Sequence, residues 1–134
     1  MRKIIIVQSI PMVLRLVRER IGWVFPELED VVVYQSDFET TLNEIPQDGE
    51  FVVITSDQFY DESHVKFTAK EKDGNKLAEE IKKINPKAKV YCFSGYEPPL
   101  THLDGLYHKS ADGDNTVEEI VFIFMDLGLD KESI

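Results

Sequence analysis

The stretch KIIIVQ, Lys3 to Gln8, sets four consecutive apolar residues near the start of the chain. Such a run reads as a strand buried on both faces, and strands of that kind belong to parallel sheets covered by helices. The rest of the chain repeats the alternation. Pro11 is tolerated in the first turn of a following helix, Ser9 is placed to cap it, and Val13, Leu16, Val17 and Ile21 fall on one helical stripe. A second strand is expected over Asp30 to Gln35. Ser36 and Glu39 have capping-box spacing for a helix through about Ile45. Pro46, Asp48 and Gly49 break that helix, and FVVITSD, Phe51 to Asp57, supplies the third strand.

Beyond Asp57 the residues from Gln58 to Lys72 lack helical periodicity and exceed an ordinary strand-to-helix connection. A helix starts at Asp73-Gly74, carries Leu77, Ile81 and Ile84 on one face, and stops at Asn85-Pro86. KVYCF, Lys89 to Phe93, is the fourth strand and Gly105 to His108 a short fifth. Thr116 and Glu119 repeat the capping-box spacing for a last helix from Val117 to about Leu127, with Gly128 just beyond it. Five strands alternating with helices predict a flavodoxin-like, doubly wound parallel sheet in the order 2-1-3-4-5, with right-handed crossovers. Sites in such sheets lie beyond the carboxyl ends of the strands, near the switch point between strands 1 and 3.

The totals narrow the function. A length of 134 residues fits one domain, 1–134. A net charge of −10 argues against a nucleic-acid-binding face. One cysteine, Cys92, excludes an internal disulfide and fits a reducing, cytoplasmic setting; its place in an apolar strand makes it an inert buried thiol. The apolar runs are far short of the ~20 residues a membrane helix needs. No glycine stands in the first strand-to-helix turn, and no dinucleotide fingerprint, Walker loop or nucleophile elbow occurs. Asp61, Glu62 and His64 lie close together without a second ligand cluster and read as a solvated loop. Asp112-Gly113-Asp114 lacks the glycine and glutamate spacing of a calcium loop and reads as a turn. Tyr34 is expected in the core, while Trp23 and Phe25 fit either core or a partner-binding patch.

The strand ends carry the chemistry: Gln8-Ser9, Thr55-Ser56-Asp57, Ser94-Gly95 and His108-Lys109-Ser110. In that order KIIIVQS, DGNKLAEEIKKINPKAKVYCFSGY and DGLYHKS resemble segments of the response-regulator receiver domains of two-component signalling. The resemblance covers most of the chain. It implies a phosphoryl-accepting aspartate after strand 3, two acids after strand 1 that help hold Mg²⁺, a hydroxyl after strand 4 and a lysine after strand 5. A trianionic group forming beside carboxylates needs those cations. Ser94 matches the hydroxyl and Lys109 the lysine.

The acidic pair is absent, because Gln8 and Ser9 stand in its positions. They serve as polar filler and helix cap. Two registers place the acceptor: counting from Glu50 gives Thr55, and a shift of two residues gives Asp57. Both keep the same face of the strand. The methionine-proline step that often follows the acceptor is replaced by Gln58-Phe59-Tyr60. Pro98-Pro99 disfavours a helix between strands 4 and 5, so the fourth helix is expected to be short or missing. The usual aromatic switch position of strand 5 holds Leu106, with Tyr107 beside it.

The resemblance therefore implies a degenerate receiver, or pseudo-receiver, without an attached output domain. It would meet a protein partner, a sensor kinase or an output protein, by contact, with weak or no phosphorylation and no cofactor. One alternative is an atypical active receiver phosphorylated on Asp57, with weak Mg²⁺ binding there. A second is a small-molecule or anion sensor using the pocket among Ser9, Asp57, Ser94 and Lys109.

Overall fold

A computed structural model describes residues 3–56, 59, 73–94, 100–108 and 116–129. The strands are β1 (Lys3–Val7), β2 (Val32–Gln35), β3 (Phe51–Thr55), β4 (Lys89–Ser94) and β5 (Gly105–His108). The helices are α1 (Pro11–Val24), α2 (Phe38–Asn43), α3 (Gly74–Ile84) and α4 (Thr116–Asp126), with a 3₁₀ turn at Pro26–Leu28. All four strand pairings are parallel, in the order β2-β1-β3-β4-β5. This is the flavodoxin-like sheet expected from the alternation of elements.

Two apolar layers sandwich the sheet. Ile5, Val7, Phe51, Val53, Val90 and Cys92 face α2 and α3, where Phe38, Leu77, Ala78 and Ile81 meet them. Ile4, Ile6, Ile54 and Phe93 point the other way, onto Val17 and Ile21 of α1 and Ile120, Ile123 and Phe124 of α4. The two sets alternate along each strand because successive side chains point to opposite faces. Burial on both faces explains the uninterrupted apolar runs that announced the strands.

The element ends follow local chemistry, and some differ from expectation. Ser9 does not cap α1: its N-cap is Ile10, with no side-chain hydrogen bond, and Pro11 occupies the first turn. Proline needs no acceptor for an N–H, which lowers the demand for a cap. At α2 the cap is Asp37 rather than Ser36. Its carboxylate accepts from Thr40 N at 2.8 Å and from the Thr40 hydroxyl at 2.9 Å. A carboxylate complements the positive helix end better than a hydroxyl, so the neighbour wins. The helix stops at Asn43. Asp73 caps α3, accepting from Lys76 N at 2.7 Å. Thr116 lies inside the first turn of α4 rather than ahead of it. Gly128, at φ 71°, supplies the left-handed residue that closes that helix.

β2 begins at Val32 rather than Asp30, because Val31 N still donates to Leu28 O in the preceding turn. β3 ends at Thr55, and Asp57 lies outside the described residues. Leu16 is off the core stripe and 44 % exposed; Val17 and Ile21 face inward, with Val13, Leu14 and Val24 packed beside them. Phe25 is buried and stacks on Phe124, whereas Trp23 is 74 % exposed. Tyr34 is partly buried, packed on the α1 side with the Arg18 guanidinium over its ring.

No helix is present between β4 and β5 among the described residues. Residues 100–104 are instead tied down by contacts to α3 and β4. His102 N donates to Asn75 Oδ1, and Leu103 is buried against α3. Asp104 accepts from Val90 N at 2.7 Å and lies 2.9 Å from Lys82 Nζ. The tight capture of this short connection leaves no slack for a packed helix over the same residues.

Candidate functional site

The carboxyl edge of the sheet is set by the pairing of the three central strands. Val7 lies opposite Thr55, and Thr55 opposite Cys92. The ladder continues one step past β3, with Ser56 N donating to Val7 O at 3.0 Å. Gln8 N donates to Gln35 O at 3.0 Å, which carries β1 one step past its own end. Gln8, Ser9, Thr55 and Ser94 therefore come together at one edge, and all four are buried.

The hydrogen bonds described at this edge for Ser9 N, Thr55 and Ser56 join neutral groups. The Ser56 hydroxyl donates to Val7 O at 3.4 Å and accepts from Ser9 N at 3.3 Å. It links the turn after β1 to the end of β3. The Thr55 hydroxyl donates to Ser56 O at 2.9 Å, and no part of Thr55 is exposed. A hydroxyl enclosed in this way has no open approach for a reacting group. At the end of β5, His108 is exposed and lies level with Ser94.

Sequence reasoning identified Gln8, Ser9, Thr55 and Ser94, and the structure brings these four to the same edge. Asp57 and Lys109 lie outside the described residues, as do Asp61, Glu62, His64 and the Asp112-Gly113-Asp114 turn. Ser56 was named among the strand ends, but its part as the link between them depends on strand register. Phe59 sits in a stretch read as polar, yet it is buried and packs edge-on against Phe38 with ring centres 5.6 Å apart. The aromatic residues Phe59, Tyr60 and Phe67 within an otherwise polar segment were the available signal.

Mg²⁺ demands hard oxygen ligands and is usually held through one or two carboxylates. The Gln8 and Ser9 side chains offer a neutral amide and a hydroxyl, and Ser9 N is already committed to Ser56 Oγ. These donors do not fit a Mg²⁺ site. No group of three or more His, Cys, Asp or Glu side chains suited to a metal occurs among the described residues.

On β5, Leu106 packs toward α3 and Tyr107 toward α4. The Tyr107 hydroxyl donates to Asp126, and its ring lies 6.3 Å from that of Tyr91. Burial foremost, and then the bond to Asp126, hold the Tyr107 phenol well above the usual tyrosine range. The position expected for an aromatic switch thus holds an aliphatic side chain, and the neighbouring tyrosine is fastened to the last helix. Among the described residues, no helix is long and apolar enough to cross a membrane.

No family model matches the sequence, and no curated protein matches it. Solved structures do match its fold. The isolated receiver domain of RcsB from Salmonella enterica serovar Typhimurium aligns with a TM-score of 0.57 and 20% identity, over 94% of this chain and 88% of that one. The response regulator TrrA from Thermotoga maritima, solved in complex with Mg²⁺-BeF, aligns at 0.56 and 18%, over 92% and 99%. The receiver domain of the NarL response regulator from Mycobacterium tuberculosis aligns at 0.55 and 17%, over 97% of each. In an RcsB–DNA complex this chain spans 61% of the RcsB chain. The chain has the fold of response-regulator receiver domains.

Proposed function

We propose that this receiver-fold chain is a pseudo-receiver, a cytoplasmic signalling module of the two-component type that acts by protein contact rather than by phosphoryl transfer. The observation that carries the reading is the neutral network where the family places its metal-binding acids. Gln8 and Ser9 are 5 % exposed each, and Ser56 bridges Ser9 N and Val7 O. In this account the network does by hydrogen bonding what a bound cation does in an active receiver: it holds the ends of β1 and β3 together.

Phosphoryl transfer to an aspartate needs positive charge to offset the equatorial oxygens. With the two acids replaced, Asp57 has lost the neighbours that would bring Mg²⁺ to it. Ser94 and Lys109 then remain as the two matching positions of the phosphate pocket, retained without the metal that makes the pocket reactive. A partner such as a sensor kinase or an output protein would read a surface that does not depend on phosphorylation.

The reading is tested by thermal unfolding in rising MgCl₂. Metal bound only to the folded state would raise the midpoint as concentration passes its dissociation constant. The expected result is a midpoint that moves no more with MgCl₂ than with matched NaCl. A saturating, Mg²⁺-specific rise that disappears in Asp57→Asn would contradict it and support an active receiver.

A further inference from the structure

We propose that the outer edge of β2 is a docking site for an extended, cationic peptide segment of a protein partner, which pairs with it as an added strand. This inference is independent of the reading of the carboxyl edge.

β2 ends the sheet, and among the described residues its one neighbour is β1. Ile4 N donates to Val31 O, and Gln8 N donates to Gln35 O. Val31, Val33 and Gln35 therefore turn their backbone groups toward β1. Successive residues of a parallel strand turn theirs to opposite sides, so the N–H and C=O of Val32 and Tyr34 point away from the sheet. Edges are ordinarily blunted by charge, proline or a bulge. The strand VVYQ has no charged residue and no proline, and its register with β1 is unbroken from Val32 to Gln35. Its side chains are meanwhile held in place. Val33 packs on the α2 side, Val32 is buried on the α1 side, and Val31 and Tyr34 pack beside it. A fixed strand with an open main-chain edge is the template that strand addition requires.

Charge decides what pairs there. Exposed acids stand at both ends of the strand: Glu27, Glu29 and Asp30 before it, Asp37 and Glu39 after it. The base seated on the strand is Arg18, with its guanidinium 5.5 Å from the Tyr34 ring centre. A second copy would pair antiparallel about a twofold axis. The acids before β2 of one copy would then meet the acids after β2 of the other, and like charges set opposite each other destabilise a strand pair. A peptide with a β-branched middle and Lys or Arg at each end meets those acids in either direction. The strand has 4 residues, so main-chain pairing is short and the affinity is correspondingly low.

The probe is a capped peptide, Val-Thr-Val-Thr-Val between paired lysines, beside the same peptide with glutamates in place of the lysines. Each is titrated to about 2 mM against the full chain at about 50 mM NaCl, a range that reaches weak affinities under moderate screening. Backbone amide shifts are followed by NMR. The expected result is a saturable shift of the Val32 and Tyr34 amides with the lysine peptide, and binding of the glutamate peptide weaker by about tenfold or more. Val32→Pro removes an outward N–H and leaves the bonds to β1 intact, so it should weaken the lysine peptide by about tenfold. Asp30→Lys, exposed and outside the strand, should weaken it by about threefold and carries the test independently of the proline variant. Circular dichroism verifies that each variant keeps its fold. No saturable shift at β2 with the lysine peptide would overturn the proposal, as would a response that a folded Val32→Pro leaves unchanged. Equal binding of the two peptides, or an unchanged constant for Asp30→Lys, would overturn the charge selection. Shifts at β2 that grow with protein concentration alone would overturn the proposal in favour of a second copy.

Discussion

The backbone N–H of Ser9 donates to the Ser56 hydroxyl at 3.3 Å, across 47 positions of sequence, and that hydroxyl donates in turn to Val7 O at 3.4 Å. Both distances are long for a hydrogen bond, so each contact is modest. Together they close the space between the ends of β1 and β3 with neutral groups.

Removing that hydroxyl should loosen the edge without unfolding the sheet. Ser56→Ala leaves Ser9 N without its partner, at a cost of about 1 kcal/mol. Urea unfolding should show that loss, and the Ser9 amide should exchange with solvent faster than in the parent. Equal stability together with equal protection of Ser9 would show that the link contributes nothing.

A larger cost is expected at Asn85, which is 1 % exposed. Its Nδ2 donates to Pro46 O and Gly49 O, each at 3.1 Å, and its Oδ1 accepts from Lys87 N at 3.0 Å. The side chain thereby ties the end of α3 to the turn before β3. Asn85→Ala strands three backbone groups and should cost about 3 kcal/mol. Asn85→Asp should be at least as damaging, because a carboxylate then faces two carbonyl oxygens. Denaturant midpoints for the two variants check the order.

Alkaline pH should destabilise the fold through its tyrosines. Burial holds the Tyr34 phenol up at about 12, with the Arg18 guanidinium partly opposing the rise and Glu29 adding to it. Tyr107 is raised by burial and by its bond to Asp126, and Tyr91 by burial and the Asp104 charge. In the unfolded chain these groups ionise near ~10. The folded state therefore keeps protons that the unfolded state has lost. Their stabilising contribution is complete below pH ~10 and declines as pH rises toward the folded values. The ultraviolet tyrosinate band should show late titration in the folded protein, and Tyr34→Phe should remove part of the stability loss between pH 10 and about 12. A titration in which every tyrosine ionises at the unfolded value would refute this.

Cys92 has no exposed surface. Thiol reagents require an accessible thiolate. Labelling should be slow under native conditions and should rise with urea in step with unfolding followed by circular dichroism. Rapid native labelling would mean that β4 opens independently of the rest of the sheet.

The sheet was legible in the sequence because burial on both faces leaves no alternation to misread. Ile4 to Val7, Phe51 to Ile54 and Val90 to Phe93 are near-continuous apolar runs, and each is a strand. Helix starts were less legible. Ser36 and Asp37 are adjacent and both competent to cap, and spacing alone favoured the weaker one. Leu16 was misplaced because it lies about 100° of helical rotation from Val17, which carries it off the buried stripe. The hydroxyl link at Ser56 depends on which residue of β3 lies level with Val7. That is fixed by pairing between strands remote in sequence, and no local pattern encodes it. The position of Gln8 and Ser9 just past β1 needed no structure, because the apolar run itself shows where the strand ends.

The central claim, contact signalling without phosphoryl transfer, is tested most directly by intact mass. The protein is incubated with a small phosphodonor such as acetyl phosphate, with and without Mg²⁺, beside Asp57→Asn. The account predicts an unmodified mass in every sample. A single phosphoryl adduct that requires Mg²⁺ and disappears in Asp57→Asn would contradict it, and would make Asp57 a working acceptor despite the neutral residues at Gln8 and Ser9.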